Sequence, residues 1–218
     1  MGSFIEERMK PFEPQEGFLT TDEKGHLAID GMDTVALAHE YGTPLYVFSE
    51  KRIRENYLGY LKAFTSNYPQ TEIFYALKAN PLLAICKILL NEGAGLEAGG
   101  PGELYIARLL GTSPEKIVFN GNNKSRQELR TAIDLGIIIN IDSIYEMEAI
   151  NEEAQKAGKK ANISIRVSPD VPPGIEGTRP ELWTGLRKSK FGVDIESGLA
   201  YKAYKRSLNM DSIEVLGI

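Results

Sequence analysis

The sequence predicts an α/β fold, a (β/α)8 TIM-type barrel with about six of its eight strands present. Three observations carry the prediction. Short apolar runs recur every twenty-odd residues, at Ile73–Leu77, Gly95–Ala98, Ile117–Asn120, Ile137–Ile141, Asn162–Val167 and Ile213–Ile218. Between them lie segments with helical start and stop signals. The alternation continues without a change of pattern, which suits a barrel better than a doubly wound sheet, and strand–helix–strand units imply right-handed crossovers and parallel strands.

Residues 1–42 are polar and turn-rich, with Pro11, Pro14, Gly17, Gly25 and Gly31, and read as an N-terminal segment holding one short helix near Thr34–Tyr41. The barrel portion is expected to run from 43 to 218. Pro44-Leu45-Tyr46-Val47-Phe48 reads as a strand. Ser49 then caps a helix whose apolar side is Ile53, Tyr57, Leu61 and Phe64, at helical spacing. Asn80 is placed to cap the next helix, with Pro81 at its first position and Gly93 at its end. Ser125 with Glu128, and Ser143 with Glu146, have the spacing of capping boxes, and Gly136 closes the helix that the first one opens. The long link from Ser168 to Asp194 breaks the rhythm. It carries Pro169, Pro172, Pro173 and Pro180 but also Trp183, Leu186 and Phe191, which favours an ordered, functional loop. The last apolar run ends the chain within strand six, so the expectation is a fragment that lacks two barrel strands and any domain beyond them.

Composition narrows the class of function. A net charge of −5 argues against nucleic acid as partner, because phosphate binding needs a basic face. The single cysteine, Cys86, excludes an internal disulfide and a cysteine-rich zinc site, and no metal centre is expected. No apolar run reaches membrane-spanning length, and Met1–Lys10 lacks a signal-peptide core. The expectation is a cytoplasmic protein.

Barrel sites lie at the C-terminal strand ends. In order, those ends offer Lys78 and Asn80, Glu97, Asn120 to Lys124, Asp142 and Arg166. Lys78 follows Phe74-Tyr75-Ala76-Leu77, where a strand delivers its last side chain inward, and an amine in a partly desolvated site there is a candidate Schiff-base former. The alternative is an exposed strand-end lysine. Glu97 is a second candidate; its alternative is to receive backbone hydrogen bonds near a helix start. Arg166 has as its alternative an ion pair with Asp142 or Asp170. For Asn120 and Asn122 the alternative is a turn. Cys86 reads as core, and His26 and His39 lie away from the strand ends.

Tyr75-Ala76-Leu77-Lys78-Ala79-Asn80 resembles the cofactor-lysine motif of the alanine-racemase-like, fold-type III pyridoxal-phosphate (PLP) enzymes. Three further stretches resemble the diaminopimelate decarboxylase family within that group. They are Gly42-Thr43-Pro44-Leu45-Tyr46-Val47, Phe119-Asn120-Gly121-Asn122-Asn123-Lys124-Ser125, and Thr184-Gly185-Leu186-Arg187-Lys188-Ser189-Lys190-Phe191-Gly192. Four motifs in order cover nearly all of the chain from Gly42. The resemblance implies a PLP-binding barrel and decarboxylation of meso-diaminopimelate to L-lysine. Lys78 would be the Schiff-base lysine, Glu97 the acidic catalytic position, and Arg166 and Asn120 cofactor-binding residues. It also implies a homodimer and a C-terminal β-domain, absent here, that completes the site, so the fragment alone is expected to be inactive. Two departures stand out. Glu97 replaces the family's usual aspartate, and Pro172–Glu181 lacks the usual threonine-histidine-proline stretch. Other readings are a fold-III decarboxylase for ornithine, arginine or carboxynorspermidine, a non-catalytic PLP-carrier barrel, and a cofactor-free lysine aldolase.

Overall fold

The computed structural model describes residues 18–172 and 183–218 and divides into two compact units, residues 1–63 and 64–218. Met1–Lys10 and most of Pro172–Glu181, on which sequence expectations were placed, lie outside the described residues.

In the first unit, β1 (Leu19–Thr21), β2 (Leu27–Ile29) and β3 (Met32–Asp33) form a small antiparallel sheet. Its strands are too short to announce themselves as apolar runs, and Gly25 and Gly31 turn the chain between them at positive φ. Asp33 caps α1 (Thr34–Tyr41) through the N–H groups of Val35 and Ala36, and its carboxylate also meets His26 Nδ1 at 3.1 Å. That hydrogen bond holds Asp33 below the usual carboxylate range. Ser49 caps α2 (Glu50–Thr65) as expected, accepting from Arg52 N–H at 2.9 Å. The expected strand at Pro44–Phe48 does not form. This segment has no ladder partner among the described residues, and its apolar side chains are exposed, Tyr46 at 89%.

The second unit alternates strand and helix throughout. In order come β4 (Phe74–Ala76), α3 (Leu83–Asn91), β5 (Gly95–Ala98), α4 (Pro101–Leu109) and β6 (Ile117–Asn120). They are followed by α5 (Arg126–Leu135), β7 (Ile138–Ile141), α6 (Ile144–Ala157) and β8 (Ala161–Ile165). The two-residue strands β9 (Val167–Ser168) and β10 (Val193–Asp194) pair with each other, and α7 (Leu199–Ser207) leads to β11 (Ile213–Gly217). The main sheet is parallel, in the order β4-β5-β6-β7-β8-β11, so that each strand lies beside the next strand of the same sheet, the β9–β10 pair being inserted between β8 and β11. This is the wall of a (β/α)8 barrel, six strands wide.

Alternation of side chains defines two faces of that wall. Leu96, Ala98, Phe119, Ile139, Ile141, Ile163 and Ile165 are fully buried and form one core with Met147, Ile150 and Leu129 of the helices. Each of the leucine, isoleucine, methionine and phenylalanine side chains contributes roughly 1.5–3 kcal/mol through burial, and Ala98 less. The intervening residues, Ala76, Glu97, Val118, Asn120, Asn140 and Ser164, face the other way.

Two helix starts differ from expectation. α3 begins at Leu83 rather than Pro81, because Asn80 Oδ1 accepts from Leu82 N–H and makes a turn ahead of the helix. The Ser125–Glu128 capping box closes in full. At Ser143 only half closes, since the Glu146 carboxylate turns to Asp142 N–H and to Lys124. Gly95 faces the Phe74 ring so closely that a Cβ would sit 2.3 Å from it. Gly95→Ala is therefore expected to destabilise the protein by about 1–3 kcal/mol through overpacking. Denaturant unfolding of the two proteins checks this.

Candidate active site

Lys78 sits in the turn Leu77–Ala79 that follows β4. Leu77 anchors this turn: its side chain is wholly buried and its N–H donates to Glu97 O at 3.0 Å. The far end is held at Asn80 O, which accepts from the Tyr75 hydroxyl at 3.2 Å and from Cys86 Sγ at 3.9 Å. Burial raises the pKa of both Tyr75 and Cys86, as expected for groups in the sheet–helix core. Between these fixed points Lys78 is exposed, with no hydrogen bond or ion pair among the described residues. The partly enclosed setting expected for its amine is not seen, since the residue is exposed.

Glu97 lies on β5, opposite Ala76 of β4. Among the described residues its carboxylate takes no backbone hydrogen bond near a helix start. Glu103 fills that position, with Oε2 accepting from Gly99 N–H at 2.6 Å. Glu97 Oε1 instead accepts from the Asn120 side chain, Nδ2 to Oε1 3.0 Å. Asn120 is thus the last residue of β6 rather than a turn residue, and its amide links the second and third strands of the wall. Asn122 is exposed in the following bend.

Lys124, in the same motif, is almost completely buried. Its Nζ donates to Gly121 O, Asn140 O and both Glu146 oxygens at 2.5, 2.8, 3.0 and 3.0 Å. Burial pulls its pKa down and the Glu146 carboxylate opposes that pull. With every donor occupied, Lys124 fastens β6, β7 and α6 together.

Arg166 leaves the end of β8 with two restraints. Its Nη1 is 3.7 Å from Asp142 Oδ1, and its guanidinium stacks 4.1 Å from the centroid of the Phe191 ring. Asp142 Oδ1 also accepts from Gly192 N–H at 3.0 Å, while Val193 N–H donates to Arg166 O at 2.8 Å. Gly192 is at φ +75° with Arg166 O 3.0 Å from where a Cβ would be, so the closure suits glycine alone. Asp170, the other partner considered for Arg166, accepts from Arg187 N–H instead. The described part of the 168–194 link is therefore ordered against the strand ends.

Asp194 completes that loop. Hydrogen bonds from Ser197 and then Arg187 hold its carboxylate at a pKa of about 2, below the ordinary 3.8. The folded value is the lower one, so Asp194 supports the folded loop above about pH 4 and loses that support as pH falls toward 2. The protection of the Ser197 amide relative to its intrinsic exchange rate is expected to fall over this window in the native protein. In Asp194→Ala, which removes the acceptor, that protection should be low already at neutral pH.

Asn140 and Ser164 stand in register with Asn120 on the same face of the sheet and extend its polar row, yet they escape a reading confined to strand ends. The polar–apolar alternation in Ile139-Asn140-Ile141 and Ile163-Ser164-Ile165 was the available signal. Stacking of Phe191 on Arg166 had no local signal at all.

A parallel barrel wall that carries an accessible lysine after one strand, a carboxylate–amide pair on the next two, and a clamped arginine beyond them defines a lysine-bearing barrel domain. Residues 52–218 match the family model described as pyridoxal-dependent decarboxylase, pyridoxal binding domain. The chain belongs to that family. It is 44% identical over 199 residues to the diaminopimelate decarboxylase of Methanocaldococcus jannaschii, covering 89% of this chain and 45% of that protein. The corresponding protein of Aquifex aeolicus is 44% identical over 195 residues, covering 89% and 44%. The crystal structure of the M. jannaschii enzyme in complex with L-lysine superposes with a TM-score of 0.83 at 43% identity, over 92% of this chain and 46% of that one. The chain spans about half the length of the curated relatives it matches. Among the described residues no helix is long and apolar enough to cross a membrane.

Proposed function

We propose that this chain is the cofactor-binding barrel portion of a PLP-dependent decarboxylase that converts meso-diaminopimelate to L-lysine, in a cytoplasmic homodimer whose remaining parts complete the site. The observation that carries the substrate is the 44% identity with diaminopimelate decarboxylases over 89% of the chain. The resident cofactor is supported by the donor set itself. Lys78 offers an accessible primary amine that can attach an aldehyde. Arg166 offers a guanidinium one-quarter exposed and stacked on Phe191, suited to a phenolic oxygen. These residues fit the group.

When bound, PLP supplies an electron sink for the pair left behind as the carboxylate departs. The chain's own residues do the rest. Lys78 Nζ is the group that would hold the cofactor's aldehyde, and the same amine, once released, would move a proton at the carbon that lost its carboxylate. Glu97, fixed by Asn120, sets the charge beside the Lys78 turn. Asn120 and Arg166, on the polar side of the wall, would border the cofactor. Conversion of meso-diaminopimelate by the complete protein with PLP, against ornithine and arginine as competing substrates, tests the reading. Preferred decarboxylation of either competitor would overturn the substrate assignment, and no PLP-dependent turnover at all would overturn the reading.

A further inference from the structure

Asn120 holds one hydrogen bond at the expense of another. Its Nδ2 is committed to Glu97, while its Oδ1 is buried from solvent with no donor among the described residues. A buried acceptor left unpaired costs free energy on the order of 1–3 kcal/mol. Turning the amide over would not help, because it would place Oδ1 against the Glu97 carboxylate. An apolar residue at this place would remove the unpaired acceptor. An unmet polar group beside a candidate site has an explanation when its partner must be held still.

Glu97 is the group it holds. The Glu97 carbonyl accepts from Leu77 N–H, and its Cα pairs with Ala76, so Glu97 stands at the root of the turn that carries Lys78. The residue spans β5 and β6 as a side chain, where the backbone ladder of β5 and β6 stops at Ala98 and Phe119. A free glutamate has one more rotatable bond than an aspartate, and the Asn120 amide removes that freedom.

We propose that Asn120 is a positioning residue whose task is to fix the Glu97 carboxylate on the strand next to the Lys78 turn. The inference rests on the reading of Glu97 and Lys78 given above. Its signature is a split between stability and function. In the complete protein reconstituted with PLP, Asn120→Ala is expected to leave the melting temperature of the cofactor-free form unchanged or higher. The same variant should lower turnover about tenfold or more, the loss expected for one hydrogen bond to a charged group. It should also change the pH dependence of the visible absorbance of the bound cofactor. Asn120→Asp, which keeps the shape but sets a second carboxylate against Glu97, should be worse in turnover than Asn120→Ala. Glu97→Gln should shift the same absorbance profile. Parallel loss of melting temperature and turnover in Asn120→Ala would show a structural role and overturn the proposal, as would wild-type turnover and an unchanged profile. If the unaltered protein shows no cofactor absorbance, or Glu97→Gln changes nothing, the underlying site reading fails instead.

Discussion

Lys78→Ala is expected to abolish the visible absorbance of lysine-attached PLP in the complete protein and to cut decarboxylation about a hundredfold to ten-thousandfold or more, the range for loss of a positioned proton-transfer group. Loss of covalent attachment adds to that figure. The substitution is clean because Lys78 is exposed and makes no hydrogen bond among the described residues. Its turn is held by others, Leu77 through Glu97 O and Asn80 through the Tyr75 hydroxyl. Stability should therefore stay within about 0.5 kcal/mol of the unaltered protein. Lys78→Arg keeps the charge but not the nucleophile, and should be as inactive as Lys78→Ala. Addition of a small primary amine should restore some turnover to the alanine variant only, since the arginine occupies the space. Persistence of the visible band in Lys78→Ala would move the attachment point elsewhere.

Lys124→Ala is expected to destabilise the protein by about 3–5 kcal/mol, because it leaves one member of a buried ion pair without its partner. The exposure of the two side chains is 1% for Lys124 and 10% for Glu146, so water cannot replace the lost ammonium. Two carbonyl oxygens, of Gly121 and Asn140, lose their donor in the same step. The pair can be discharged rather than broken. Lys124→Met with Glu146→Gln removes both charges while the glutamine still accepts from Asp142 N–H, and should recover about 1–2 kcal/mol of the loss. Denaturant unfolding of the three proteins measures both effects. Equal stability of the single and double variants would show that the charge of Glu146 is not what makes the loss large.

Most of the barrel wall was legible because each element carried its own signal. Gly95–Ala98 and Ile117–Asn120 were read to the residue, and the Ser125–Glu128 box and Gly136 marked both ends of α5. Errors fell where a partner outside the local window decides the outcome. Pro44–Phe48 has strand composition, but no neighbouring strand among the described residues pairs with it. Ser143–Glu146 has the spacing of a capping box, yet Lys124, some twenty residues earlier, draws the glutamate away. The site shows the same division. Lys78, Glu97, Asn120 and Arg166 could be listed from strand ends, since geometry puts every strand end on one rim. Which of them touch could not. The Glu97–Asn120 contact crosses two strands, and Phe191 reaches Arg166 from 25 residues further along the chain.

The order β4-β5-β6-β7-β8-β11 has a consequence for how the protein is made. Each strand finds its neighbour already formed when it leaves the ribosome, so the wall can grow in one direction by local closures with modest entropic cost. The lysine end is laid down first, next the Glu97–Asn120 link, and the arginine clamp only after Gly192 has emerged and reached back 50 residues to Asp142. A ribosome stalled between 166 and 192 would thus present Lys78 before the rim of strand ends around it is finished.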